Sequence, residues 1–196
     1  MKRPKSILNY VLLVGTTIAL LSFDLPAGWF AAGSKPKSYE MGIDKGAGQD
    51  GKNAATIKSI EKMIKGFGTL MQQKKPDNYL GKRIKMTGFM KSENVANWAG
   101  LWFRVDQAGS QQSLSFDNMG DRPIKGTTSW TKYEIVLDIP ENASQIAYGA
   151  LLDGTGQIWF DNIAIEIVND SVPTTGFQNG KKSATQNEPT NLDFEK

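Results

Sequence analysis

Trp102 and Arg104 stand two residues apart in a stretch that alternates from side to side, and they are the residues best equipped to hold a ligand. An indole offers an apolar face to the C–H groups of a sugar, and a guanidinium is a planar hydrogen-bonding fork for hydroxyls or anions. Ala99, Leu101, Phe103 and Val105 take one side of this stretch; Gly100, Trp102, Arg104 and Asp106 take the other. Phe89 is expected to share the face of Trp102. The competing reading covers Trp102 with a loop and pairs Arg104 with Asp117 or Glu134. A second group, Asp117, Asn118, Asp121 and Arg122, falls in one turn-rich loop that ends at Pro123 and Gly126. These side chains read equally well as the lining of a pocket and as caps on the loop's own backbone through Asx-turns. Asp117 and Asp121 could be a glycosidase couple, but their spacing does not separate a general acid from a general base. Catalysis is therefore not expected.

The composition narrows the chemistry further. The 196 residues include no cysteine and no histidine. Disulfides, thiol nucleophiles, Ser-His-Asp triads and His or Cys metal sites are excluded. Carboxylates, Lys, Tyr and oxygen-ligated cations remain. The net charge of +3 and a pI near 9.0 raise the question of nucleic acid. Lys2, Arg3 and Lys5 alone equal that surplus. They precede an uncharged, largely apolar run at residues 7–23, the layout of a secretory signal. Leu25-Pro26-Ala27 and Ala31-Ala32-Gly33 offer tolerable small-residue cleavage sites. An uncleaved membrane anchor is the alternative, although the run is short against the roughly 20 residues a span requires. Cleavage after Ala27 would remove Lys2, Arg3, Lys5 and Asp24 and leave 20 basic against 19 acidic residues. Nucleic acid is not an expected partner. The protein is expected to be exported, periplasmic or extracellular, touching a membrane only through residues 1–33 if they are retained. No oligomeric state can be read.

The elements that must position these residues are strands. Ile84, Met86, Gly88 and Met90 alternate with charged and polar neighbours; Tyr133, Ile135, Leu137 and Ile139 alternate likewise; Ile163, Ile165 and Ile167 fall together. Period two marks half-buried strands, and many short ones with Gly/Asp turns between them predict an antiparallel sandwich. Residues 52–67 are awkward, because Ala54, Ile57, Ile60, Ile64 and Phe67 recur at helical spacing. They follow Gly46-Ala47-Gly48-Gln49-Asp50-Gly51-Lys52-Asn53, which fits G-x-G-x-x-G and nearly fits a P-loop. Asn53 stands where a magnesium-binding hydroxyl would be needed, and the alternating strand–helix units of a nucleotide fold are missing. A loop between two strands is preferred. Residues 169–196 are polar and expected to be a disordered tail.

The order of segments also carries a resemblance. Gly66-Phe67-Gly68-Thr69-Leu70-Met71-Gln72, Tyr79-Leu80-Gly81-Lys82-Arg83-Ile84, the run from Trp98 to Ile124 and Trp159-Phe160-Asp161-Asn162 resemble a bacterial galactose-binding-like, carbohydrate-binding-module-like jelly-roll domain. That group occurs alone or behind AraC-type transcriptional regulators. The resemblance covers residues 39–168. It implies an all-β antiparallel jelly-roll sandwich over residues 34–168, behind an N-terminal signal or anchor helix. It re-reads residues 54–59 and 68–73 as strands flanking a loop. It also implies a concave groove on the Trp102 face and a structural calcium held by Asp161 with carbonyls and carboxylates near Asp44, Asp50 and Gly51. A signal-like segment precedes the domain rather than a helix-turn-helix, so the regulator function is not expected to carry over. The expected function is a non-catalytic, ligand-binding module for carbohydrate or another polar small molecule. A structural or protein-interaction domain of the cell envelope is the alternative.

Overall fold

The computed structural model describes residues 23–178. The expected signal or anchor helix at residues 1–22 and the tail at 179–196 lie outside them. Ten strands form the structure: β1 Phe30–Gly33, β2 Tyr39–Asp44, β3 Ala54–Ser59, β4 Phe67–Lys74, β5 Lys82–Asp106, β6 Ser115–Asp117, β7 Ile124–Ile139, β8 Gln145–Asp153, β9 Gln157–Val168 and β10 Phe177–Gln178. Every pairing is antiparallel. Among the described residues no helix is long and apolar enough to cross a membrane.

The 25-residue β5 organises the sandwich. Its first half pairs with β7 and β9, its second half with β8 and β6. One sheet thus runs β2-β3-β9-β5-β7 and the other β1-β4-β8-β5-β6-β10. Register shifts between Met90 and Ala99, with Asn94 at φ 52°, mark where β5 passes from one sheet to the other. Bulges let a strand bend without ending its pairing. Ile84, Met86 and Met90 from the first half, and Leu101, Phe103 and Val105 from the second, are all buried in one core. A β-carbon at Gly88 would meet Ile163 and Leu101, so the two sheets close tightly there.

The alternation held in most strands, with one exception in β9. Ile163 and Ile165 pack on the core, whereas Ile167 is 54% exposed where β9, no longer paired with β3 beyond Phe160, has become an edge strand. The awkward stretch is two strands and a loop, as the resemblance implied. Ile57 and Ile64 reach the core from β3 and from the loop, so the helical spacing was coincidental. The glycine-rich octet is a loop between paired strands β2 and β3, without the following helix a phosphate site requires.

The folded part reaches beyond residues 34–168 at both ends. β1 lies within the segment read as signal or anchor and pairs with β4 from Phe30↔Met71 to Gly33↔Gly68. Trp29 plugs the open side between the sheets, its ring 6.1 Å from Tyr148 and 5.6 Å from Phe160. Residues 169–178, read from composition as the start of a disordered tail, instead run along the sheet edge. The Arg83 guanidinium donates to the carbonyls of Asp170 and Val172, and Thr175 exchanges hydrogen bonds with the Val136 backbone. Fixed partners on the sheet offset the ordering entropy that composition alone could not.

Candidate functional site

The outer face of the β1-β4-β8-β5-β6 sheet is a groove of about 860 Å³. Its floor is a small apolar cluster: Met71 of β4, Ala147 and Leu151 of β8, and Trp102 of β5, with Phe67, Trp98 and Phe116 packed around it. Trp102 is only 8% exposed. Its indole N–H donates to Thr69 Oγ1 at 2.7 Å. Thr69 is on β4, two strands away, so the ring must lie flat across β8, a reach of roughly 10 Å. It crosses where Trp102 pairs with Gly149. A side chain there would obstruct it, and a β-carbon at 149 would also run into the Leu70 carbonyl. Trp102 is therefore floor, locked in place, and not a free-standing platform.

Polar groups rim this floor. Arg104, Asp106, Gln73, Asn118 and Gln145 all line the groove. Arg104 is paired through Nε to Asp106 Oδ1 at 2.8 Å, and not to Asp117 or Glu134. Among the described lining residues Arg104 and Asp106 are the charged ones, so the groove is close to neutral overall. It holds a single carboxylate, whereas glycoside hydrolysis ordinarily uses two flanking the scissile bond.

The loop after β6 turns away from the groove. Met119 is completely buried in the core at φ 61°, a left-handed backbone that few non-glycine residues adopt. The Asp117 carboxylate holds it there, accepting the Met119 N–H at 2.7 Å. Asp117 points inward, is 5% exposed, and also accepts from Thr175 Oγ1 and from Arg122 at 2.7 Å. Burial pulls the Arg122 guanidinium down, but the Asp117 and Asp121 carboxylates more than offset this and its pKa is raised. Arg122 also donates to the Glu134 carbonyl. Asn118 closes its own Asx-turn onto Gly120 N. Of this loop's four candidates, only Asn118 reaches the groove; Asp117, Asp121 and Arg122 hold the loop clear of it.

Phe89 is not part of the site. It lies on the first half of β5, between Lys132 and Asp161, and faces outward from the opposite sheet. Alternation alone could not reveal that β5 changes sheets between Phe89 and Trp102. Around Phe89 lies a different cluster. The Lys91 ammonium sits 4.5 Å from the Trp159 ring and 5.2 Å from Trp130, and donates to the Ala47 carbonyl at 3.2 Å.

The three acidic residues weighed for calcium are each engaged. Asp44 accepts the Trp159 indole N–H at 2.7 Å. Asp50 pairs with Lys52 at 3.0 Å. Asp161 accepts the backbone N–H of Asn162 at 2.7 Å and of Gln49 at 3.3 Å. Calcium takes six to eight oxygens, and among the described residues no three acidic side chains gather around one point. A cation held there would draw most of its oxygens from backbone carbonyls and water.

Sequence reasoning missed Trp98, although it continues the Gly100–Trp102 face two residues upstream. It also missed Phe67, Met71, Gln73, Gln145 and Leu151, which reach the groove only because β4 lies beside β8 and β8 beside β5.

No family model matches the chain. It is 46% identical over 169 residues to the uncharacterized HTH-type transcriptional regulator YbfP of Bacillus subtilis (strain 168). The match takes in 86% of this chain and 56% of that protein, so the chain spans about half the length of the relative. Among solved structures, the CBM22-1 xylan-binding domain from Paenibacillus barcinonensis Xyn10C superposes with a TM-score of 0.53 at 14% identity, over 76% of this chain and 90% of that one. The CBM22-1-GH10 modules of Clostridium thermocellum xylanase 10B, complexed with xylohexaose, give 0.53 at 14% identity over 72% and 26%. Tailspike protein 4 of bacteriophage CBA120 gives 0.51 at 11% identity over 72% and 20%. The fold is the β-sandwich shared with carbohydrate-binding modules.

Proposed function

We propose that the chain is an exported, non-catalytic β-sandwich whose groove binds a neutral carbohydrate chain. The observation that carries this reading is the groove itself: an apolar floor of Trp102, Met71 and Leu151 between hydrogen-bonding side chains, with its one guanidinium neutralised by Asp106. Sugars present C–H patches to apolar surfaces and hydroxyls to amides, carboxylates and guanidinium groups. An anionic ligand would find no net positive charge here. Two proteins of the same fold are a xylan-binding domain and xylanase modules complexed with xylohexaose, which supports a polysaccharide over a small metabolite.

Calorimetry with soluble oligosaccharides, xylohexaose among them, tests the reading. Binding is expected, and Arg104→Ala is expected to weaken it at least tenfold, since it removes a charge-assisted fork from the rim. Trp98→Ala is expected to weaken it as well. Absence of binding to every oligosaccharide, or unchanged affinity in Arg104→Ala, would count against the proposal.

A further inference from the structure

At one end of the sandwich the turn at residues 34–38 and the β3–β4 loop at residues 60–66 come together as a single tip. Ile60 N–H donates to the Ser38 carbonyl at 3.0 Å, Lys35 N–H to the Phe67 carbonyl at 3.0 Å, and Phe67 N–H to Ser34 Oγ at 3.0 Å. The tip is pinned from below. Ile64 is buried in the core, and the Tyr39 hydroxyl donates to the Gly66 carbonyl at 3.0 Å. Ile64 is buried while its neighbours Met63 and Lys65 are exposed. Met63 is 76% exposed and Ile60 54%. Around them Lys35, Lys37, Lys62 and Lys65 are exposed. Among the described residues none of the four has an ion-pair partner. Glu61 is the one carboxylate within the two segments. Nearby Asp153 is engaged by Asn97 at 2.8 Å, and Glu40 faces Lys58 across β2 and β3.

We infer that this tip docks on an anionic lipid surface, with Met63 and Ile60 entering the headgroup region and the four lysines facing the lipid charges. Apolar insertion combined with basic residues is how peripheral proteins hold such surfaces, and lysine stems extend to keep the ammonium groups in the headgroup layer. Other polyanions or protein partners fit less well. The two segments carry neither arginine nor an aromatic ring, while nucleic-acid contacts favour Arg and stacking rings, and protein interfaces are depleted in Lys.

The absence of cysteine makes the test direct. Met63→Cys in the full chain carries one environment-sensitive fluorophore at the tip, and Gln111→Cys carries it on an exposed loop at the opposite end. Phosphatidylcholine vesicles with and without phosphatidylglycerol are then added. The label at 63 is expected to shift blue on anionic vesicles alone, while the label at 111 stays in water. Adding Lys62→Ala and Lys65→Ala is expected to raise the anionic lipid needed for half the shift about 25-fold, roughly fivefold per lysine. A label at 63 that stays in water on anionic vesicles would overturn the inference. So would an equal shift on neutral vesicles, or tight binding to duplex DNA without any shift. None of these results bears on oligosaccharide binding in the groove.

Discussion

Removing the Arg122 side chain leaves the Asp117 carboxylate buried, with the Met119 N–H and the Thr175 hydroxyl as its remaining partners. A buried charge that loses its counter-ion is strongly destabilised, and the partial exposure of Arg122 moderates the loss. Arg122→Ala is expected to lower stability by about 2 kcal/mol in urea unfolding. Asp121, 73% exposed, also pairs with Arg122, yet Asp121→Ala is expected to change stability by less than about 0.5 kcal/mol, since exposed pairs contribute little. Tyr39 gives a separate signature. Burial, reinforced by Asp153, pushes its phenol from 10.0 up to about 12, while its hydroxyl bonds the Gly66 and Gly154 carbonyls. The folded state therefore favours the protonated phenol. Its contribution is complete below pH 10 and is lost as pH rises from 10 towards 12. Stability measured against pH should fall in that window, and Tyr39→Phe should flatten the fall while lowering stability at neutral pH.

At the scale of elements, β1 and the residues before it are short but make an outsized contribution. They supply Trp29 between the sheets, cover the edge of β4, and place Ala32 and Gly33 along the groove. Asp24 adds a hydrogen bond to Ile43 at 2.8 Å. A chain beginning at Ser34 is expected to be destabilised by about 3–5 kcal/mol relative to one beginning at Phe23, the range for losing a packed Trp. Denaturant midpoints of the two chains check this. Processing at Ala31-Ala32-Gly33 would remove the same strand, and N-terminal sequencing of the protein recovered from cells and from medium would show whether the strand is kept. β5 shows the limit of pattern reading at this scale. Its alternation placed Ile84, Met86, Leu101 and Phe103 inward correctly. It carried no sign of the change of sheet near Asn94, and so placed Phe89 beside Trp102.

The whole molecule separates two chemistries. The groove is nearly neutral, and four lysines without ion pairs gather at the tip beside one of its ends. Salt screens exposed charges but scarcely touches stacking and neutral hydrogen bonds. Oligosaccharide affinity should change by less than about twofold between low and high salt, whereas the vesicle-induced shift at position 63 should be lost. Calorimetry and fluorescence over the same salt series would separate the two surfaces.

The sequence by itself determined which side of the alternating strands is buried, Ile167 excepted, because a period-two pattern is local and needs only neighbouring residues. It also excluded thiol and imidazole chemistry by composition, and it placed Trp102 and Arg104 on one strand face. Tertiary structure decided what that face is for. Thr69 meets the Trp102 indole N–H only because β8 intervenes between β4 and β5, pairing segments about 80 and about 50 residues apart in a way that no local pattern encodes. The open groove likewise depends on Met119 being drawn into the core and held there by Asp117 and Arg122. Whether a polar loop caps itself or lines a pocket depends on the direction of one buried side chain, and that direction is set by the space between the two sheets.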